Sequence, residues 1–469
     1  MSTCASPSLG TVRAPSPSAP AVFRLTFDGA SVTLARGWLL LALAALVGAG
    51  LFSLLLVLAR TPGVNARLPG VDFFRVALVV HVDLSVLVWF FAIGGLLWTL
   101  QAGRRGLAWG WAALGIAAVG AATMAVAPFV DPGVPVMANY IPVIESRGFL
   151  GGLAVFGGGC AILVGRALAN VPSLRSLDGA AGLRVGLYAA AVAAAVALAA
   201  LAWSLVEVPR ALDSKAYWEL LFWGGGHALQ FTWTLLMLVA WLWLAQAAGA
   251  TVPLSARVSI LLFLIALAAV LVTPYAYLAH HVLSMEHRQI HTWGMRVGGG
   301  LAILPVGLAV TVASLRQPRA MTAQARPLRA ALLASIVLFA AGGLIGVAIQ
   351  GSDVRIPAHY HGCIVGVTLA LMGLVYHLLP QLGGRAPRGR LATAQPLLYG
   401  LGQLLHIAGL VWSGGYGVQR KVAGAEQVLR SPGEVLGMGL MGLGGLLAIV
   451  GGLLFVVVVW RAWRAPPKR

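Results

Sequence analysis

Twelve apolar stretches dominate this sequence of 469 residues. Each is close to or longer than the about 20 residues that a helix needs to cross a bilayer. Since a backbone surrounded by lipid must satisfy its own hydrogen bonds, such stretches form helices. The sequence therefore predicts an all-α membrane protein, a bundle of twelve transmembrane helices. The predicted spans are residues 37–59, 72–100, 107–128, 148–168, 183–206, 218–246, 256–285, 291–315, 328–350, 356–382, 392–414 and 433–462.

The composition supports this fold class and excludes others. Only 10% of the residues are charged, against about 25% in a typical soluble domain. The net charge of +19 would suit a nucleic-acid partner, but the basic residues lie at the ends of apolar spans. We therefore expect a membrane protein and no nucleic acid. Cys4, Cys160 and Cys363 have no paired spacing, so neither a disulfide framework nor a thiolate metal cluster is expected.

The distribution of basic residues predicts the orientation of the chain. Residues 1–36 are rich in Ser, Pro and Ala and are predicted to be a disordered cytoplasmic tail. Residues 37–463 form the twelve-helix domain, and residues 464–469 a basic cytoplasmic tail. Most of the 32 Lys and Arg residues fall in loops on the side of the termini. The positive-inside rule then places both termini in the cytoplasm, and the chain in the cell inner membrane.

Six of the ten histidines share one predicted depth, in the outer third to half of the bilayer. A single intramembrane histidine often only bonds to a neighbouring helix. Six on four spans indicate ligands, because ionisable groups in a membrane are costly and usually mark function. Neutral imidazole binds haem iron and copper. The six are His81 on span 2, His227 on span 6, His280 and His281 on span 7, and His359 and His361 on span 10.

The spacing of these histidines suits two haems and one further metal. His359 and His361 lie two residues apart, so their rings point about 200° apart and hold separate groups. His280 and His281 lie about 100° apart near a helix end and can lean toward one ion. His227 completes a three-nitrogen site with an open position. One histidine of the span-10 pair would hold a five-coordinate haem facing that metal, and the other would share a six-coordinate haem with the histidine of span 2.

This histidine pattern resembles the catalytic subunit of the haem–copper oxidase superfamily, which contains cytochrome oxidases and nitric oxide reductases. The resemblance covers about residues 37–463. It implies two haems, a second metal that is copper or non-haem iron, and a metal site toward the periplasmic side. The implied ligands are His81 and His361 for the low-spin haem, His359 for the high-spin haem, His227, His280 and His281 for the second metal, and Arg420 and Lys421 for the haem propionates.

The sequence departs from the family pattern at the expected redox tyrosine. The commonest oxidases carry it four residues after the span-6 histidine, where this chain has Phe231. Gln230 is the nearest polar group. A second oxidase type carries the tyrosine six residues before the adjacent pair, where this chain has Pro274. Tyr277 lies on the face of the adjacent pair and is the candidate catalytic tyrosine. Its alternative role is that of an interfacial anchor.

Carboxylates and the other histidines add further expectations. Asp83 is the only acidic residue predicted deep in a span, and Glu219 and Glu286 lie at outer ends. Protons would therefore enter from the outer side, as the resemblance implies for a reductase that does not pump. His287 and His291 are predicted to lie at the surface, between spans 7 and 8. His377 and His406 receive no role.

The sequence therefore predicts a respiratory terminal reductase of a diatomic gas. Dioxygen is the broad expectation for the superfamily, as in a cytochrome c oxidase. The missing tyrosine and the missing inner acids slightly favour nitric oxide, reduced to nitrous oxide. A remote alternative is a proton-coupled transporter. Since the chain has neither a Cys pair for a dinuclear copper nor a Cys-x-x-Cys-His motif, a partner subunit of cytochrome c or cupredoxin type is expected to donate electrons.

Overall fold

The computed structural model of the protein describes residues 20–27, 29–64, 71–317, 321–423 and 426–464. Its main elements are twelve helices long and apolar enough to span a membrane, which confirms the predicted fold class. We number these helices as spans 1 to 12. They are Gly29–Arg60, Phe73–Ala102, Leu107–Val130, Arg147–Leu168, Gly179–Glu207, Trp223–Ala247, Ala256–Ala279, Met285–Arg316, Ala325–Val347, Arg355–Leu378, Arg390–Gly414 and Pro432–Arg464.

Span 1 begins before the predicted boundary at residue 36. A short 3-10 turn at Gly29–Ser31 leads into the α-helix Val32–Arg60. Ahead of it, Phe23 and Leu25 are buried at 0% and 2% exposure. The predicted tail therefore includes packed residues from Phe23 onward. Residues 1–19 and 465–469, on which the rest of the two tail predictions falls, lie outside the described residues.

The break between spans 7 and 8 differs most from the sequence prediction. Span 7 ends at Ala279 rather than near residue 285, and span 8 begins at Met285 rather than near residue 291. Ser284 is the N-cap of span 8, where its hydroxyl accepts a hydrogen bond from the His287 backbone N–H at 3.1 Å. Glu286 lies in the first turn, where a negative charge favours the helix N-terminus. The position of the break is therefore set by the capping residue Ser284, and not by the edge of the apolar run.

Spans 6 and 10 form the centre of the bundle. Of their most apolar stretches, 83% and 78% is buried, against 33% for spans 1 and 9. Spans 6, 9 and 10 are joined by a buried hydrogen-bond chain. Trp241 Nε1 donates to Ser335 Oγ at 2.8 Å, and Ser335 Oγ donates to the Gly366 carbonyl at 2.6 Å. The histidines of spans 6 and 10 are therefore carried by the two most enclosed helices.

Spans 11 and 12 make the closest helix pair near the site. A Cβ at Gly444 would overlap the backbone of His406, so glycine at this position is one of the features that let the two helices approach closely. The same approach brings the Met441 carbonyl on span 12 within 3.0 Å of His406 Nδ1. A small-residue packing surface thus fixes the orientation of one histidine ring.

Three shorter elements and two π-helical segments complete the part of the fold that concerns the site. The strands Val134–Val136 and Val143–Glu145 pair antiparallel between spans 3 and 4, on the side opposite the termini. The helix Ser214–Leu221 precedes span 6. Span 2 is π-helical at Asp83–Val88, and span 8 at Gly294–Gly298. Such segments often occur at functional sites, and here each follows a histidine.

Candidate functional site

One histidine cluster joins span 6 to span 8. His287 and His291 are four residues apart and share one face of span 8, with ring centroids 4.6 Å apart. The His291 ring lies 5.6 Å from the ring of His227 on span 6. His287 and His291 are each 2% exposed, and His227 is 3% exposed. The prediction of a surface role for His287 and His291 is therefore wrong, because span 8 starts early enough to bury both.

The nitrogens of this cluster fit a metal that binds imidazole. His227 Nδ1 bonds to the Trp223 carbonyl at 2.7 Å, and His291 Nδ1 to the His287 carbonyl at 2.8 Å. His291 Nε2 and both nitrogens of His287 are buried without a hydrogen-bond partner among the described residues. Leaving such groups unpaired is costly, whereas a metal ion would take their lone pairs. As the rings stand, the described residues contain no group of three His, Cys, Asp or Glu side chains that could hold an ion without moving.

The adjacent pair His280-His281 lies in the connection between the spans. His280 is the C-cap of span 7 in an extended conformation. His281 is exposed, and its Nδ1 accepts a hydrogen bond from the Leu283 backbone N–H at 3.2 Å. The ring contacts of His227 are with Tyr140, Trp223 and His291. The structure therefore brings the span-8 pair, and not the adjacent pair, to the span-6 histidine.

Tyr140 contributes a phenol that the sequence did not reveal. It sits in the turn between the two strands, and its hydroxyl lies 2.8 Å from His227 Nε2. The tyrosine ring packs on Gly226, where any side chain would overlap it. Burial raises the pKa of Tyr140 well above its usual range. The hydroxyl therefore keeps its proton and donates a hydrogen bond to His227 Nε2. Only the hairpin fold brings this loop residue to span 6.

Gln230 and Tyr277 both lie at this cluster. The Gln230 side chain lies near the Tyr140 hydroxyl. Tyr277 is 5% exposed, and its ring centroid lies 4.7 Å from that of His287. Its hydroxyl, however, pairs with Ser204 Oγ on span 5 at 2.7 Å. Tyr277 therefore packs against the histidines with its ring and directs its hydroxyl to another helix.

The two histidines of span 10 face different neighbours, as their spacing predicts. His359 Nδ1 bonds to the Gly342 carbonyl of span 9 at 2.8 Å. The His361 ring lies 4.6 Å from the ring of His406 on span 11. His81 lies close enough to His361 to interact with it electrostatically. Its own Nδ1 bonds to the Ala49 carbonyl of span 1 at 2.9 Å.

The donor set of spans 2, 10 and 11 fits haem iron. In His81, His359 and His406, a backbone carbonyl of a neighbouring span holds Nδ1. This bond fixes the neutral tautomer in which Nε2 carries the free lone pair. Metal-binding histidines are usually oriented in this way by an outer partner. The residues present therefore suit axial ligation on either side of span 10.

The basic loop before span 12 is tied to the hairpin that carries Tyr140. Lys421 Nζ donates to the Met137 carbonyl at 2.6 Å and to Asn139 Oδ1 at 3.5 Å. The backbone N–H of Asn139 donates to the Glu219 carboxylate at 3.0 Å. Burial, followed by the neighbouring charge of Arg420, lowers the pKa of Lys421 to about 8. Lys421 has a φ of +64°, a strained conformation for a non-glycine residue.

The remaining charged residues that the sequence singled out are Arg420 and Asp83. Arg420 lies close to Tyr360, the residue between the two histidines of span 10. Asp83 begins the π-helical segment of span 2, is 1% exposed, and has no hydrogen-bond partner for either carboxylate oxygen among the described residues. Arg420 thus lies beside the span-10 histidine pair, and Asp83 is an isolated buried acid.

Known proteins resemble this chain over most of its length. Residues 33–463 match the family model described as "Cytochrome C and Quinol oxidase polypeptide I". An uncharacterized protein of Rickettsia prowazekii is 28% identical over 91% of this chain and 95% of its own length. An uncharacterized protein of Aquifex aeolicus is 28% identical over 74% of this chain and 84% of its own length.

A solved structure shares the fold. The cryo-EM structure of a heme-copper terminal oxidase dimer matches with a TM-score of 0.71 and 16% identity. The match covers 95% of this chain and 86% of that one. The family model covers nearly the whole twelve-helix domain, and the chain therefore belongs to the cytochrome c and quinol oxidase polypeptide I family of haem–copper oxidase catalytic subunits.

Proposed function

We propose that this chain is the catalytic subunit of a respiratory terminal oxidase that reduces dioxygen to water. His81 and His361 would hold a low-spin haem, and His359 a high-spin haem. His227 with His287 and His291 would hold the second metal, in place of the adjacent pair that the sequence indicated. The observation that carries the proposal is the set of unpartnered, buried imidazole nitrogens of span 8 beside His227.

Three imidazoles favour copper as the second metal. Non-haem iron sites usually include a carboxylate, whereas imidazole alone suits copper. The nearest acid in the sequence of span 8, Glu286, is exposed in the first turn of the helix. Copper is therefore the metal that this donor set fits better.

When bound, the haems and the metal would supply the electrons and the binding place for the gas. The chain itself orients and protects that place. The Trp223 carbonyl holds His227 Nδ1, so the metal would bind His227 Nε2 in place of the Tyr140 hydroxyl and leave that phenol beside it. The Tyr277 ring covers His287. These groups exclude water from the space between spans 6 and 8 and keep one phenolic proton there.

The Tyr140–His227 contact favours dioxygen over nitric oxide. The case for nitric oxide rested on the absence of a tyrosine at Phe231 and Pro274. Tyr140 supplies a phenol at hydrogen-bond distance by another route. Reduction of dioxygen to water consumes more protons and electrons per molecule than reduction of nitric oxide, so a nearby protonated phenol is useful to it. Nitric oxide remains the second candidate, because Asp83 is the only acid in the interior of a span.

The electron donor and the orientation in the membrane are part of the same proposal. A partner subunit of cytochrome c or cupredoxin type would deliver electrons to the low-spin haem. Both termini would lie in the cytoplasm, with the metal site toward the periplasmic side of the inner membrane. Arg420 and Lys421 lie on the side of the histidine clusters and would neutralise the haem propionates.

Metal analysis of matched variants tests the ligand assignment. We expect His287→Ala and His291→Ala to lose the second metal, with copper falling to background while both haems remain. The matched control is His280→Ala with His281→Ala, which should keep copper at the wild-type level. Loss of copper in the control, or its retention in both span-8 variants, would overturn the assignment. A purified protein without haem absorption bands would overturn the function itself.

A further inference from the structure

Three imidazoles share the place where the low-spin haem would bind, although a haem has only two axial positions. His361 and His406 have ring centroids 4.6 Å apart. His81 lies close enough to both to interact electrostatically. His406 is 8% exposed, so it is enclosed with the other two rather than turned to lipid. One imidazole in this cluster is therefore surplus to the assignment made so far.

His406 is oriented in the same way as His81. Its Nδ1 bonds to the Met441 carbonyl at 3.0 Å, just as His81 Nδ1 bonds to the Ala49 carbonyl. Both partners lie on a neighbouring span, so helix packing fixes each ring. In both rings, Nε2 is left free as a ligand. His406 is therefore at least as well oriented for ligation as His361.

Gln403 offers His361 a partner other than iron. Its side chain lies one turn before His406 on span 11, near the ring of His361. Gln403 is 8% exposed, and its Oε1 is buried without a hydrogen-bond partner among the described residues. A buried amide oxygen at this point can accept a hydrogen bond from the His361 ring when that ring is not bound. The cluster thus contains a resting place for the surplus imidazole.

We propose that His406 is a second haem-binding histidine, which can occupy the axial position opposite His81 in exchange with His361. This inference rests on the proposed function, since it requires a haem at this place. Exchange would move one imidazole onto iron and the other off it, with no change in oxidation state and no loss of six-coordination. The protein could then hold the same haem with two different ligand pairs.

The test compares haem coordination in purified His361→Ala, His406→Ala and the double variant. Absorption and low-temperature EPR spectra of the oxidised protein report the fraction of six-coordinate low-spin haem. We expect each single variant to keep at least about half of that signal. In the double variant, the signal should fall about tenfold. Free imidazole added to the double variant should restore the signal. His377→Ala, on span 10 but beside Trp243, is the matched control and should not change the spectrum.

A His361→Ala spectrum as depleted as that of the double variant would overturn the exchange and leave His406 as a support for His361. If that variant is not recovered, His361→Asn, which preserves more of the side-chain volume, is judged by the same criterion. The His81→Ala variant separates this failure from that of the proposed function. It should lose the low-spin signal whether or not His406 binds, and an unchanged spectrum would mean that no haem is held here.

Discussion

The two histidine clusters of this protein have the same number of rings but are held in different ways. In the cluster of His81, His361 and His406, the rings of His81 and His406 bond to carbonyls of neighbouring helices, on span 1 and span 12. In the cluster of His227, His287 and His291, the partners are carbonyls of the same helix, four residues earlier, and His287 has none among the described residues. The first cluster is therefore fixed by packing between helices, and the second by local helix geometry.

This difference fits the two tasks proposed for the clusters. A haem that carries electrons benefits from ligands whose orientation is set by helix packing, as that of His81 and His406 is. A centre that binds gas and metal needs rings that can move toward a ligand. The second cluster also receives Tyr140 from a hairpin outside the helices. Its surroundings therefore come from that hairpin as well as from spans 6 and 8. Both clusters follow or precede π-helical turns, at Asp83–Val88 and Gly294–Gly298.

The largest expected effect comes from separating spans 11 and 12. In Gly444→Ala, the added methyl group would overlap the backbone of His406, which cannot move without its helix. We expect a loss of about 1–3 kcal/mol of stability from overpacking, with disruption of the His406–Met441 bond. Gly439→Ala on the same span faces open space and is the control. Thermal unfolding in detergent measures both, and equal midpoints would show that packing does not fix the first cluster.

The second prediction concerns the Tyr140 phenol. We expect Tyr140→Phe to reduce dioxygen turnover by about 10²-fold, the usual contribution of a positioned proton donor. Haem and copper content should be unchanged, and any nitric oxide turnover should be affected much less. Tyr188→Phe is the control, since its hydroxyl bonds to the Leu168 carbonyl at the far end of span 4. Undiminished dioxygen reduction in Tyr140→Phe would remove the argument for dioxygen as the substrate.

The sequence predicts the two clusters unequally well, for physical reasons. His81, His227, His359 and His361 follow from depth and helical spacing, which depend only on the chain entering the membrane. The span-8 pair depends on where the helix begins, and that is set by the hydrogen bond of Ser284, which an apolar run does not show. The Ser284-Met-Glu-His sequence, followed by a second histidine at i+4, was the available signal.

Tyr140 and His406 mark the limit of that reasoning. Tyr140 reaches His227 because two three-residue strands pair, and short strands in a loop leave little trace in sequence. The His406 ring is oriented because glycine lets spans 11 and 12 approach each other closely, which brings the Met441 carbonyl to it. Both contacts are tertiary. Tyr140 lies 87 positions from His227 in the sequence, and His406 lies 45 positions from His361. Sequence reasoning therefore missed one histidine of the first cluster, and two histidines and one tyrosine of the second.

The smallest predicted effect concerns the contact between the loop before span 12 and the hairpin that carries Tyr140. Lys421, in the loop between spans 11 and 12, holds the hairpin of Tyr140 through Met137 and Asn139. Its pKa is lowered to about 8 from 10.5, chiefly by burial, so the unfolded chain binds more protons between these values. Stability should therefore rise with pH from about 8 to about 10.5, by at most about 1–2 kcal/mol after allowance for solvent screening of this partly exposed group.

A comparison of the wild type with Lys421→Met isolates this contribution. The variant keeps the length of the side chain but has no ionisable group, so its stability should lack the rise above pH 8. The difference between the two thermal midpoints, measured across this pH range, gives the effect directly. Parallel curves would show that Lys421 is not desolvated by the hairpin. The two clusters would then be connected through the helices alone, and the hairpin would hold Tyr140 without help from the loop before span 12.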